Sequence, residues 1–76
     1  MTPYKNLGGN SGIESYEITE TSIHVRFKSG LQRNYLYDSI RPGMAVLKVM
    51  KGLAVQGHGL NSFISTTVKS NFSKKW

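Results

Sequence analysis

The fold depends on the stretch RNYLYD, residues 33–38, in which two tyrosines flank one leucine. The stretch is too short and too regularly alternating for a helix, and its aromatic residues favour a strand. Tyr35 and Tyr37 must share one face of that strand because successive side chains point to opposite sides. The direction of this face decides whether the two rings fill a core or lie open to a nucleic-acid base.

The alternation of side chains with a period of two residues extends upstream from this stretch to Ile13. In SIHVRFK, residues 22–28, apolar and basic side chains alternate, with Ile23, Val25 and Phe27 on one face and His24, Arg26 and Lys28 on the other. Turn-forming residues separate the segments at Glu20-Thr21 and Ser29-Gly30. We therefore predict a three-stranded antiparallel meander.

Downstream of Pro42 the period changes to 3.6. The spacing predicts a helix over residues 43–55, with an apolar stripe of Val46, Val49, Met50 and Leu53 that Leu47 and Ala54 widen. A second helix is predicted over residues 61–69, capped by Asn61 and aligning Leu60, Phe63, Ile64 and Val68. Both helices need a surface that buries their stripes.

The predicted fold class is α+β, in the order β-β-β-α-α, with the two short helices packed on one face of the sheet. The chain of 76 residues is long enough for one domain, which we place at residues 13–69. Residues 1–12 are predicted to be a flexible lead, because they carry Pro3 and the run GGNSG. Residues 70–76 form a basic aromatic tail, in which Trp76 either stacks on a base or completes the core.

Two strand registers are consistent with the hairpin FKSGL. A two-residue turn pairs Lys28 with Leu31 and puts both tyrosines on the open face beside His24, Arg26 and Arg33. A three-residue loop pairs Phe27 with Leu31 instead and turns both tyrosines toward the core. The second register is favoured because it aligns more apolar residues.

The charge distribution is uneven. Residues 1–38 carry four basic and four acidic side chains, whereas residues 39–76 carry six basic ones and no acid. A basic half suits an anionic partner, either nucleic acid or an acidic protein surface, although excess charge also serves solubility. The chain lacks cysteine, an apolar run of membrane-spanning length and an apolar leader, so we expect a cytoplasmic protein without a membrane partner.

The residues that bear chemistry are few. His24 and His58 are the only histidines, and their spacing to Glu14 or Asp38 does not indicate a metal site. No catalytic arrangement stands out, so we expect neither an enzyme nor a cofactor. Residues 57–61, GHGLN, form a phosphate-loop candidate, with Gly57, His58, Gly59 and Asn61 as its members, or a plain connection between helices.

Several motifs together resemble the KTSC domain, a short module named for its place at the C-terminus of some lysyl-tRNA synthetases and found alone in small bacterial and phage proteins. They are Phe27 and Gly30 as F-x-x-G, Tyr35-Leu36-Tyr37 as the central Tyr-x-Tyr, and Gly57 to Asn61 before a short helix. The resemblance covers roughly residues 11–68. Its tRNA-synthetase context implies RNA binding.

The sequence thus predicts a non-catalytic module that binds RNA through a basic surface. The alternative is a protein-interaction module that docks on an acidic partner, and no pattern indicates an oligomeric state. The predicted nucleic-acid contacts are Arg26, Lys28, Arg33, Tyr35, Tyr37, Lys48, Lys51, Lys74 and Lys75.

Overall fold

The computed structural model, which describes residues 1–9 and 11–76, contains one antiparallel sheet of five strands. In chain order and in spatial order these are β1 (Thr2–Pro3), β2 (Ile13–Ile18), β3 (Ser22–Phe27), β4 (Asn34–Asp38) and β5 (Lys74–Lys75). The three central strands match the predicted meander. The predicted number of strands was wrong, because the two edge strands have two residues each and cannot show a period of two.

Helix α1 (Met44–Gln56) and helix α2 (Leu60–Phe63) follow the meander, and a π-helical segment (Ile64–Val68) continues α2. The second predicted stripe is correct in that Leu60, Ile64 and Val68 are buried. In α1 the buried residues are Leu47, Met50 and Ala54. Val49 is 47% exposed, so the prediction that it belongs to the buried stripe was wrong.

The register of β3 and β4 differs from both predicted registers. Ile23 lies opposite Tyr37 and Val25 opposite Tyr35, and a six-residue connection, residues 28–33, joins the strands. This pairing differs by two positions from the favoured register, so both tyrosines keep their predicted face. Leu31, which both registers treated as part of the paired strand, is fully exposed because the longer connection carries it past the sheet.

The core joins residues of the sheet and of the helical segments. Its buried members are Tyr4, Ile13, Tyr16, Ile23, Val25, Tyr37, Leu47, Met50, Ala54, Leu60, Ile64 and Val68. Helix α1 contacts both β3 and β4.

Both ends of the chain belong to the packed structure. Tyr4, within the predicted flexible lead, is buried, and its hydroxyl oxygen accepts a hydrogen bond of 3.3 Å from the backbone N–H of Leu60. At the other end, the backbone N–H and carbonyl of Trp76 pair with those of Asn34 at 2.9 and 3.0 Å. Asn10, which the lead and its GGNSG run include, lies outside the described residues.

Candidate nucleic-acid interface

Strand alternation places a second set of side chains on the side of the sheet opposite Val25 and Tyr37. None of these side chains is buried, whereas most of the strand residues that point to the other side of the sheet are buried. We call this set the outer face; it consists of Ser15, Glu17, His24, Arg26, Asn34, Leu36, Lys74 and Trp76.

An aromatic pair lies at the centre of the outer face. The rings of His24 and Trp76 have their centroids 5.0 Å apart and are tilted by 38°. Trp76 as a whole remains 46% exposed, so it is not part of the core. Exposed aromatic rings on a sheet are the surfaces on which single-stranded bases stack.

Asn34 forms hydrogen bonds with both residues of this pair. Its side-chain amide donates to the carbonyl oxygen of Trp76 at 3.3 Å, in addition to the two backbone hydrogen bonds between these residues. With the amide nitrogen on that side, Asn34 Oδ1 faces His24 and accepts a 2.9 Å hydrogen bond from Nε2–H. Trp76 is therefore positioned by three hydrogen bonds to one residue.

Positive charge surrounds the aromatic pair. The Nζ atom of Lys74 lies 5.3 Å from the centroid of the Trp76 ring, within the range of a cation–π contact. Arg26 occupies the position opposite Asn34, and its Nε is buried with no hydrogen-bond partner among the described residues. Glu17, which lies opposite His24 on β2, is the only acidic member of the outer face as defined.

The two tyrosines of RNYLYD lie on the other side of the sheet. Tyr37 is 1% exposed, and the Tyr35 ring packs edge-on against Phe27 and Phe72 with centroids 5.3 and 5.1 Å away. Burial, with a smaller effect of Tyr35, raises the pKa of Tyr37 well above its ordinary value. The structure thus gives Tyr37 a core position rather than a surface that a base can reach.

The predicted basic residues do not form one cluster. Lys74 and Arg26 are on the outer face, and Lys28 follows Arg26 with the same alternation and is exposed. Arg33 is paired with Glu14 at 3.5 Å, the one ion pair found among the described residues. Lys75 Nζ lies 5.5 Å from the centroid of the Phe72 ring, on the tyrosine side of the sheet.

The two helix lysines have different surroundings. Lys48 is exposed on α1. Lys51 Nζ donates hydrogen bonds to the carbonyl oxygens of Thr19 at 2.8 Å and Glu20 at 3.0 Å. Lys51 thus connects α1 to the turn between β2 and β3, whereas Lys48 presents its charge to solvent.

The phosphate-loop candidate forms the connection between α1 and α2. Gly57 ends α1 in the left-handed conformation, and its N–H donates to the carbonyl oxygens of Ala54 and Leu53. Gly59, also left-handed, is the N-cap of α2, so the prediction of Asn61 as the cap was wrong; Asn61 lies within the helix. His58 is exposed, and all four candidate residues line a cleft of about 680 Å³.

The described part of the chain shows neither a cluster of metal ligands nor a membrane-spanning helix. No group of three or more histidine, cysteine or acidic side chains is close enough there to hold a metal ion. Residues 1–9 and 11–76 include no helix with the length and apolar composition needed to cross a membrane.

No family model, no curated protein and no solved structure matches this chain. The resemblance to the KTSC domain therefore stays a prediction that rests on the motifs alone.

Sequence reasoning placed His24, Arg26 and Asn34 on one face but did not bring Trp76 to it. The tail carried an aromatic residue beside two lysines, which is a signal for base stacking. Its attachment to β4 could not be predicted, because a strand of two lysines has no apolar pattern to align.

Proposed function

We propose that this protein is a small, non-catalytic module that binds RNA through the outer face of its sheet. The observation that carries the proposal is the convergence of the partly exposed Trp76, which packs against His24, with Arg26 and Lys74, neither of which forms an ion pair among the described residues. Flat rings bind bases and cations bind phosphates, so the two features together suit a nucleic acid better than an acidic protein.

The proposal requires that the outer face remain accessible. We infer that α1, α2 and the π-helical segment cover the opposite face, where Ile23, Val25 and Tyr37 are buried. A two-layer arrangement of this kind leaves one face of an antiparallel sheet in water. The partial exposure of every outer-face residue supports this arrangement.

Electrostatics also supports an anionic ligand. The chain carries a net charge of +6, and the one ion pair of the described residues involves Arg33 rather than an outer-face cation. Arg26, Lys28 and Lys74 are therefore free to neutralise phosphates, with release of counterions.

The test is fluorescence anisotropy of a labelled single-stranded RNA titrated with the protein at two salt concentrations. If Arg26, Lys28 and Lys74 each neutralise one phosphate, affinity falls about 20-fold between about 50 and about 200 mM salt. Lys74→Gln should weaken binding and reduce the salt dependence, whereas Lys5→Gln, a charge-matched change in an exposed residue away from the outer face, should have a smaller effect.

Absence of RNA binding at low salt overturns the proposal. A stable complex with an acidic protein that survives nuclease treatment, found together with that absence, would assign the basic surface to protein docking instead.

A further inference from the structure

We infer that the outer face selects single-stranded over duplex RNA, by stacking one unpaired base on Trp76 while Arg26 binds a phosphate of the same strand. This inference rests on the proposed function and names the form of nucleic acid that the site would take.

The backbone of Trp76 is fixed, and its ring already packs on a neighbour, before any ligand arrives. Asn34 binds the backbone N–H and carbonyl of Trp76 through three hydrogen bonds, and the centroid of the His24 ring lies 5.0 Å from that of the indole. A residue held in this way loses less conformational entropy than a mobile one when a base stacks on its ring. Its exposed surface is thus suited to a flat ligand.

The guanidinium of Arg26 lacks an acceptor for one buried donor. An N–H group that is removed from water without a partner costs roughly 1–3 kcal/mol, and more on a charged group. A phosphate oxygen at this position would supply the missing acceptor and the opposite charge. Arg26 as a whole is only half-buried, so a small shift of its side chain would bring the buried Nε to a ligand at the surface.

The spacing of these two groups suits one nucleotide and its neighbour. Arg26 lies opposite Asn34 on β4, and Asn34 lies opposite Trp76, so their backbones are two interstrand distances apart, about 10 Å. A base on Trp76 and a phosphate near Arg26 can therefore belong to one short strand. Glu17, beyond His24 on β2, repels phosphate and directs the strand toward β3, β4 and β5.

Duplex RNA cannot use this arrangement. Its bases are paired and stacked inside the helix, so none can be placed against a ring on a sheet surface without being unpaired. Duplex RNA can still make phosphate contacts with Arg26, Lys28 and Lys74. These contacts weaken as the salt concentration rises and do not involve base stacking.

Trp76 is the single tryptophan of the chain, so its fluorescence reports on the site directly. The experiment is a titration with a short single-stranded RNA and with the same sequence annealed to its complement, at about 200 mM salt so that phosphate contacts are weakened. The expected result is quenching of Trp76 by the single strand and tighter binding of the single strand than of the duplex.

Four variants separate stacking from charge, and their binding is followed by the anisotropy of the labelled RNA because two of them lack tryptophan. Trp76→Leu should weaken binding of the single strand about tenfold and leave binding of the duplex unchanged, because it removes one stacked base. Trp76→Phe keeps a ring and should restore most of the affinity, which shows that the loss in the leucine variant is not a folding defect. Arg26→Gln should weaken both ligands, and Arg26→Lys should recover part of the binding, since a lysine binds phosphate as a point charge.

The two possible failures are distinguishable. Salt-dependent binding with equal affinity for single strand and duplex, together with an unchanged Trp76→Leu variant, overturns this inference and leaves the proposed function standing. Absence of binding to either RNA at low salt overturns both.

Discussion

The Nζ atom of Lys51 donates a 2.8 Å hydrogen bond to the backbone carbonyl oxygen of Thr19, across the space between α1 and the turn that joins β2 to β3. A second hydrogen bond, to the carbonyl oxygen of Glu20, measures 3.0 Å. Lys48 lies one turn earlier on the same helix and is exposed. Two lysines that look alike in the sequence therefore have different roles.

Replacing these two lysines should change the free energy of unfolding by different amounts. Lys51→Met removes two hydrogen bonds from a charged donor at a partly exposed site and should lower the free energy of unfolding by about 1 kcal/mol. Lys48→Met should change it by less than about 0.5 kcal/mol, as surface substitutions usually do. Denaturant unfolding of both variants measures the difference; equal effects would contradict the assignment of Lys51 to the turn.

Because Tyr37 is buried, the free energy of unfolding should decrease as the pH becomes alkaline. Because burial raises the pKa of Tyr37 in the folded protein above its unfolded value of about 10, the stabilisation is complete below that pH. As pH rises above about 10, the unfolded state loses the tyrosine proton first. Tyr37 then removes about 1.4 kcal/mol of stability for each further pH unit, until the raised folded pKa is reached.

The control for this prediction is Tyr37→Phe, which keeps the ring in the core and cannot ionise. Unfolding free energies measured from pH 8 to pH 11 should fall more steeply for the natural protein than for the variant, because other groups titrate equally in both. Parallel curves would show that the Tyr37 hydroxyl is accessible to water. That result would also reopen a role for this tyrosine in binding.

Asp38 should give the opposite pH dependence. Its carboxylate accepts hydrogen bonds from the backbone N–H groups of Arg41 at 2.9 Å and Ile40 at 3.0 Å. The Arg41 hydrogen bond, followed by one from the side chain of Ser73, lowers the pKa of Asp38 in the folded protein. The resulting stability is present above the unfolded pKa of about 3.9 and is lost as pH falls through the lower folded pKa.

Asp38→Asn preserves an acceptor oxygen and removes the titrating charge. We expect the natural protein to have the higher melting temperature at neutral pH, and the difference to close as the pH falls through the unfolded pKa of Asp38 and then through its lower folded pKa. Thermal unfolding followed by circular dichroism across this range checks the prediction. A difference that stays constant with pH would mean that the charge of Asp38 plays no part.

Gly57, at the C-terminal end of α1, and Gly52, within the helix, allow the same substitution to be compared at two different backbone conformations. Gly57 has a φ of 75°, and a side chain built there would overlap the Cβ of Lys5. Gly57→Ala should therefore destabilise the protein by about 1–2 kcal/mol from backbone strain alone, with further loss from displacement of the segment that carries Tyr4. Gly52 lies within the helix, and a Cβ there would have no atom within 4 Å. Gly52→Ala should stabilise the protein by about 0.5–1 kcal/mol.

Chemical denaturation of the two alanine variants measures both effects against the natural protein. Opposite signs are expected from the same change of side chain, because only Gly57 is left-handed and in contact with the N-terminal segment. Destabilisation by Gly52→Ala would indicate that the exposed surface of α1 is covered in solution.

By itself the sequence predicted the three central strands and the two helical segments, and it favoured the register that turns the tyrosines inward. Each of these follows from a local periodicity over five or more residues. A shift of the strand register by an even number of positions leaves every side chain on the same face. The sequence also determined the excess of positive charge and the shared face of His24 and Arg26, to which the favoured register adds Asn34.

Only the tertiary structure decided the edges of the sheet and the composition of the outer face. Strands of two residues have no period, so the pairing of β1 with β2 and of β5 with β4 arises from backbone hydrogen bonds that carry no side-chain signal. The same holds for Trp76, which three hydrogen bonds to Asn34 bring across 42 residues of chain to the ring of His24. The difference between Lys48 and Lys51 likewise depends on which helix lysine meets unpaired carbonyl groups, and that is a property of packing.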